Sequence, residues 1–304
     1  MTILGIDGGG TKTQAVLAMA DGSVITELTG GPTNPASNGL EAAVIEFQAI
    51  LEKILQGQPT PESVVLGLAG IDTALDAETF LAAIEPFTVA MGLPRCVVVN
   101  DAEIALENGS QADNALILIS GTGSICYGRT PRMSWRAGGM DYLLSDEGSG
   151  YWMGRSILRS VVRAADGRRP PTQFTNLVFD HFGISSIDEL KQRVYNPPLT
   201  KTQVAAVAQL WEAALAMGDD VATSLQDRAV RQLNGLVNAV VKALSLETDP
   251  FDLVLAGSIA THQAIITFLR ARLREEYPQV NIVIPTGPPV FGAVKMAKKL
   301  ISQV

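Results

Sequence analysis

The chain has 304 residues, 47% of them hydrophobic and 18% charged, with a formal net charge of −8; that is long enough for two domains and too apolar for disorder. The acidic balance argues against a nucleic-acid partner, which would want a basic face, but leaves a nucleotide substrate open, because N–H groups and a metal ion can bind one locally. No stretch approaches the ~18 uninterrupted apolar residues of a membrane span, and Met1-Thr2 runs straight into the first apolar segment, so no span, no signal peptide and a cytoplasmic location are expected.

In chain order, short strands are predicted over residues 3–7, 14–19 and 23–28, with a hairpin signal at Asp21-Gly22. A helix is predicted from Asn38 to Leu55, with Ser37 or Asn38 as its cap, and a buried strand over Val64–Ala69. A second helix runs from Ala74 to Met91, followed by a strand over Arg95–Val99 that delivers Asn100-Asp101 at its C-terminal end. Strands alternating with helices imply a largely parallel sheet sandwiched by helices. The second half opens near Asn114 and repeats the strand-turn-strand start. Helices are predicted over 147–165, 201–216, 219–246, 260–276 and 290–301, and strands over 251–256 and 280–284; the proline-bearing stretch 166–200 reads as short helices and loops.

The informative feature is a loop that occurs twice. Ile3-Leu4-Gly5-Ile6-Asp7 ends in Gly8-Gly9-Gly10-Thr11-Lys12-Thr13, and Leu116-Ile117-Leu118-Ile119-Ser120 ends in Gly121-Thr122-Gly123-Ser124. Each loop offers N–H groups and hydroxyls to anions, with no bulky side chain to hold a phosphate away. Two such loops suggest two related halves gripping one polyphosphate. The first is not a P-loop, since G-x-x-x-x-G-K-[ST] is absent.

Asp7 ends the first strand, where a buried carboxylate needs a partner. A divalent cation such as Mg²⁺ is one reading and a turn cap the other. Lys12 and Thr13 add a charge and a hydroxyl to the same loop, although Lys12 reads equally as a solvated lysine. Asp101 lies beyond the carboxyl end of a strand, where ligands bind in open α/β sheets. It reads either as a general base for phosphoryl transfer or as the N-cap of the helix beginning Ala102-Glu103-Ile104. Asp146-Glu147-Gly148-Ser149-Gly150 places two acids before a helix, either to complement its dipole or as a substrate loop. Gly257-Ser258, small residues after a strand, would let an adenine-ribose approach the backbone. Cys96 and Cys126 are expected in the core, and His181 and His262 carry no catalytic signal, which leaves acid-base work to carboxylates.

Taken together, these segments resemble the sugar-kinase branch of the actin-like ATPases, and more narrowly the BadF/BadG/BcrA/BcrD-type ATPase family, which includes N-acetylglucosamine kinases. The resemblance spans nearly the whole chain. It rests on Gly5–Thr13, Asn100-Asp101-Ala102, Ile119–Ser124, Ser145-Asp146-Glu147-Gly148-Ser149-Gly150-Tyr151-Trp152, Leu255-Ala256-Gly257-Ser258 and Pro288-Pro289-Val290-Phe291-Gly292-Ala293, in that order. It implies a two-domain actin-like (ribonuclease H-like) α/β fold, each domain a mixed sheet flanked by helices, with the active-site cleft between them. Residues 1–114 with 290–304 would form one domain, the last helix crossing back onto it, and 115–289 the other.

The implied activity is ATP- and Mg²⁺-dependent phosphorylation of an amino sugar, foremost N-acetylglucosamine to its 6-phosphate, with glucosamine or N-acetylmuramic acid as alternatives. Asp101 would be the base. The two glycine loops would hold the ATP phosphates, and Gly257 would lie near adenosine. Asn34, Thr122, Gly139 and Asp146 would contact the sugar. Many relatives carry Gly-Trp-Gly where this chain has Gly139-Met140-Asp141, so Met140 is expected to reshape the sugar pocket; Ser258 replaces a common glycine. A homodimer is compatible with the family. Two other readings fit the fold less well: an ATPase that activates a dehydratase through an iron-sulfur cluster, which needs closely placed thiolates, and a non-catalytic sensor, which would lack the base.

Overall fold

The computed structural model describes residues 1–93 and 96–302; the expected start of a strand at Arg95 lies outside them. The chain divides into two compact units, Met1–Gln111 with Pro285–Val304, and Ala112–Ile284.

The first unit is built on five strands: β1 (Thr2–Gly8), β2 (Thr13–Met19), β3 (Val24–Gly30), β4 (Ser63–Leu68) and β5 (Cys96–Asn100), in the order β3-β2-β1-β4-β5. The meander β1-β2-β3 is antiparallel, and β4 and β5 add in parallel to β1. The sheet is therefore mixed rather than largely parallel, because a short glycine turn can return a strand only antiparallel. Four helices follow the strands: α1 (Pro35–Asn38), α2 (Leu40–Ile54), α3 (Ala74–Ala90) and α4 (Asp101–Gly109). The predicted helix from Asn38 is split, since Asn34 caps a single turn that takes in Ser37 and Asn38, while α2 starts after Gly39 with no side-chain cap.

Alternate residues of the central strands serve two cores. Leu4, Ile6, Val64 and Leu66 pack with Phe47 and Phe80 of α2 and α3. Ile3 and Val65 pack on the other face with Ile104 of α4. Both faces being covered explains why β1 and β4 read as continuous apolar runs.

The second unit repeats this topology. Its strands β6 (Ala115–Ser120), β7 (Ser124–Arg129), β8 (Ser134–Gly138), β9 (Phe251–Ala256) and β10 (Val280–Val283) are ordered β10-β9-β6-β7-β8. Between β8 and β9 lie α5 (Asp141–Leu144), α6 (Gly150–Ala165), α7 (Phe174–Phe182), α8 (Ile187–Tyr195), α9 (Lys201–Ala206), α10 (Leu210–Ala216) and α11 (Asp220–Ala243). The predicted single helix over 201–216 is interrupted by a 3₁₀ turn at Val207–Gln209, beside the point where α6 closes on it at Gly154. Between β9 and β10 lies α12 (Gln263–Glu276), capped by His262. It starts three residues later than predicted, because the N–H groups of Ile259 and Ala260 turn to the Ser120 carbonyl, at 2.8 and 3.2 Å.

The last helix, α13 (Val290–Ser302), belongs to the first unit. Val290, Ala293, Val294 and Ala297 join Ile3 and Ile104 in one core. Its Gly292 presses on α4 so closely that an added Cβ would lie 1.8 Å from the Ile104 carbonyl oxygen. Gly292→Ala is therefore expected to cost about 3 kcal/mol or more, read as a lower denaturant midpoint. An unchanged midpoint would mean that this helix pair separates freely.

Candidate active site

In the first unit the parallel pairing β1-β4-β5 brings three strand ends to one edge: Asp7-Gly8, Leu68-Ala69 and Asn100-Asp101. The structure thus places Asp7 and Asp101 in one neighbourhood. Burial pushes the Asp7 carboxyl up to about 6, and the Asp101 charge adds to the rise while Lys12 opposes it. Asp101 is itself raised, first by burial and then by Asp72.

Asp101 does not cap α4. Asn100 does, accepting from the Ala102 N–H at 2.9 Å, while Glu103 Oε1 accepts from the Asn100 N–H at 3.2 Å. The Asn100 Nδ2 donates to the Ile71 carbonyl at 2.9 Å and approaches Asp72 Oδ1 at 3.4 Å. Asn100 therefore ties the loop after β4 to the strand end that presents Asp101. Asn100 is thus the cap, and the Ala102 N–H also steadies the Asp101 carboxylate, opposing part of the rise that burial causes.

Around the first loop, the Gly9 N–H donates to the Lys12 carbonyl at 2.9 Å, leaving Thr11 and Lys12 exposed at the tip. Gly8 has no room for a side chain: a Cβ would lie 2.1 Å from Thr33 Oγ1. Thr13 is buried, its hydroxyl 2.8 Å from that of Thr33, so it holds the hairpin to the following loop instead of facing solvent. Asn34 Oδ1 accepts from the N–H groups of Ala36 and Ser37, which leaves its Nδ2 as the group able to meet a ligand. Gly10 lies alongside, its side-chain position 3.8 Å from that Nδ2.

In the second unit, Ser120-Gly121 and Ala256-Gly257 end neighbouring parallel strands. Gly257 has φ +86°, and a Cβ there would lie 2.4 Å from the Ser120 carbonyl oxygen, so only glycine fits. Ser258 is exposed beside it. The Gly121 N–H closes the loop on Gly123, and the Gly121 carbonyl accepts from Gly150 at the start of α6, at 2.7 Å. Thr122 is exposed at the tip, and Ser124 is buried with its Oγ donating to the Glu147 carbonyl.

Asp146 is 2% exposed. One oxygen accepts from the Ser124 N–H at 3.0 Å and the other lies 2.8 Å from Lys201 Nζ. The two acids before α6 thus do not complement its dipole; Ser149 caps that helix, and no acid falls in its first turn. Gly139 donates to the Ser124 carbonyl at 3.0 Å, and Met140 is exposed.

Lys201 escaped the sequence reading. Its Nζ bridges Asp146 and Asp141, the latter at 2.5 Å, and so links the Gly139-Met140-Asp141 stretch to the buried carboxylate. Nothing local announces it: it is an ordinary lysine at a helix start, 60 residues from Asp141. Removing it strands a buried charge, so Lys201→Met is expected to destabilise the second unit by about 2–3 kcal/mol, discounted because Lys201 itself is 30% exposed. Thermal melting checks this; an unshifted transition would show that Asp146 does not depend on the lysine.

Burial raises both thiols, Cys96 to about 11 and Cys126 further, and the two sit in different sheets. Neither is a thiolate suited to a cluster. Among the described residues no group of three His, Cys, Asp or Glu side chains could hold a metal unaided, and no helix is long and apolar enough to cross a membrane.

The model of the BadF/BadG/BcrA/BcrD ATPase family matches residues 4–297. The chain belongs to that family. It is 32% identical over 307 residues to an N-acetylmuramic acid/N-acetylglucosamine kinase of Clostridium acetobutylicum, covering 97% of this chain and 98% of the relative. It is 30% identical over 311 residues to an N-acetyl-D-glucosamine kinase of Dictyostelium discoideum, covering 97% of each. A solved structure from Chromobacterium violaceum, provisionally named an N-acetylglucosamine kinase, superposes with TM-score 0.74 at 26% identity over 97% of this chain and 98% of that one. A ROK family glucokinase from Streptomyces griseus, solved with glucose and AMPPNP, shares the fold alone, with TM-score 0.55 and 18% identity over 98% of this chain and 100% of that one.

Proposed function

We propose that this protein is an ATP-dependent kinase that phosphorylates an amino sugar, foremost N-acetylglucosamine at its 6-hydroxyl. The observation that carries the reading is Asp101: a carboxylate at a strand end, raised by burial and not engaged in capping its helix. Raised basicity suits a group that must take a hydroxyl proton as the phosphoryl group is transferred. The names of the two relatives support an amino sugar as acceptor.

Asp101 would accept the proton of the attacking hydroxyl. The backbone of Gly8–Lys12 and of Gly121–Gly123 would hold the ATP phosphates, with Lys12 supplying charge at the first. Gly257-Ser258 would receive the adenosine. Asn34 Nδ2, Thr122, Gly139 and Asp146 would orient the sugar, Asp146 held in place by Lys201 and the Ser124 N–H.

Mg²⁺ fits the first unit: burial and the Asp101 charge raise the cost of ionising Asp7, and a hard dication relieves that cost. A single carboxylate matches an ion that takes most of its shell from water and phosphate. Asp7 would hold it, and when bound it would neutralise charge on the transferred phosphoryl group.

The test is ADP release from Mg·ATP with N-acetylglucosamine, glucosamine, N-acetylmuramic acid, N-acetylmannosamine and glucose. Strong release with N-acetylglucosamine is expected. Release independent of every sugar, or none with ATP still bound, would sink the kinase reading. A preference for N-acetylmuramic acid or glucosamine would keep the kinase and correct the acceptor.

A further inference from the structure

The second unit carries an open cavity of about 990 Å³ between α6, α11 and the 169–176 segment, with no glycine-loop residue in its lining. Five of the chain's 15 arginines line it: Arg155, Arg159, Arg163, Arg169 and Arg228. No lysine does. Arg155, Arg159 and Arg163 follow one another at intervals of four, so they form one stripe along α6. Arg228 enters from α11, its guanidinium stacked 5.4 Å from the Trp152 ring.

The acids on the cavity wall do not neutralise this stripe. Asp219 is buried as the cap of α11, and its oxygens accept from Thr172 Oγ1, the Gln173 N–H and the Ala222 N–H. Asp220 is the only other acid lining it. Five arginines against two aspartates leave three positive charges in a chain whose net charge is −8. Among the described residues none of the five has an ion-pair partner within 4 Å.

Such an arrangement is costly in the empty protein. Like charges four residues apart on a helix repel, and Arg228 is depressed by burial and by Arg163, Arg231 and Arg169. Arg159, Arg169 and Arg228 are exposed and Arg155 and Arg163 half-buried, so the cluster is open to a solute. Guanidinium groups in a concave wall match phosphate oxygens two at a time, which an ammonium does not. The volume is that of a small-molecule site.

We propose that this arginine-lined cavity is a second binding site, for a small phosphorylated anion carrying at least two negative charges. The chemistry is shared by a phosphosugar monoester and by the diphosphate of a nucleotide. Its lining shares no residue with the candidate active site, and the proposal does not depend on the kinase reading.

Two probes separate the sources: glucose 6-phosphate and inorganic pyrophosphate, titrated calorimetrically into the full chain without turnover. The wild type is expected to show a binding component that Arg159→Ala/Arg163→Ala weakens by about ten-fold or more. Any component from the glycine loops would persist in both proteins. The tighter probe identifies the source. Arg159→Lys/Arg163→Lys, which keeps the charge and the helix surface, is expected to weaken binding less than the alanine pair. Relief of repulsion should leave the alanine variant melting no lower than the wild type. Equal affinities in wild type and alanine variant, or no component in the wild type beyond that variant's, would overturn the proposal.

Discussion

Asp101→Asn is expected to lower kcat by at least about 10²-fold while changing sugar affinity little. The amide keeps the shape and the hydrogen-bonding capacity of the side chain but cannot take a proton. The loss cannot be assigned to unfolding, because the substitution removes a carboxylate that burial already disfavours in its charged form. A melting temperature at or above the wild type should accompany the lost turnover. The wild type should show the matching pH dependence: a base raised by burial must be deprotonated to act, so kcat/KM is expected to fall on acidification at a higher pH than an ordinary carboxylate would give. Turnover in the asparagine variant within a few-fold of wild type would remove Asp101 from the mechanism.

Asp7→Asn should separate stability from activity in the opposite directions. The Asp7 carboxyl rises from 3.8 to about 6 on folding. A raised carboxylate contributes stability that is present below about pH 4 and is lost as pH rises through about 6. The folded, ligand-free protein therefore carries an ionisation cost above pH 6 of about 3 kcal/mol. Removing it is expected to raise the melting temperature at pH 8 and to change it little at pH 4. Use of Mg·ATP should fall by about 10²-fold or more in kcat/KM, because the dication loses its carboxylate. If melting is unmoved at pH 8 and Mg·ATP kinetics are normal, Asp7 serves only its turn.

The elements that were legible before folding share a cause. β1 and β6 are apolar runs that stop at glycine, and β4 and β9 are buried on both faces, so their residues alone announce them. β8 has no clear signal in the sequence because Ser134-Trp135 is exposed at a sheet edge; only pairing with β7, Cys126 opposite Ala137, makes it a strand. The cap of α4 was undecidable from Asn100-Asp101-Ala102, since either side chain can cap. What selects Asn100 is long-range: its Nδ2 is held by Ile71, 29 residues away. The burial of Thr13 against Thr33, 20 residues distant, likewise has no local signal.

The sequence by itself determined where the chemistry-bearing groups stand along the chain: two glycine loops after two strands, an aspartate at each of two strand ends, and small residues after β9. These follow from short-range periodicity and turn chemistry, which neighbouring residues settle among themselves. The tertiary structure alone decided what those groups are able to do. The proton affinity of Asp7 depends on desolvation and on a carboxylate 94 positions later in the chain. Asp146 is held by Lys201, and the arginines of α6 become a cavity only when α11 and the 169–176 segment close around them. Charge, burial and pairing are set by distance in space, and no local pattern in a chain encodes that distance.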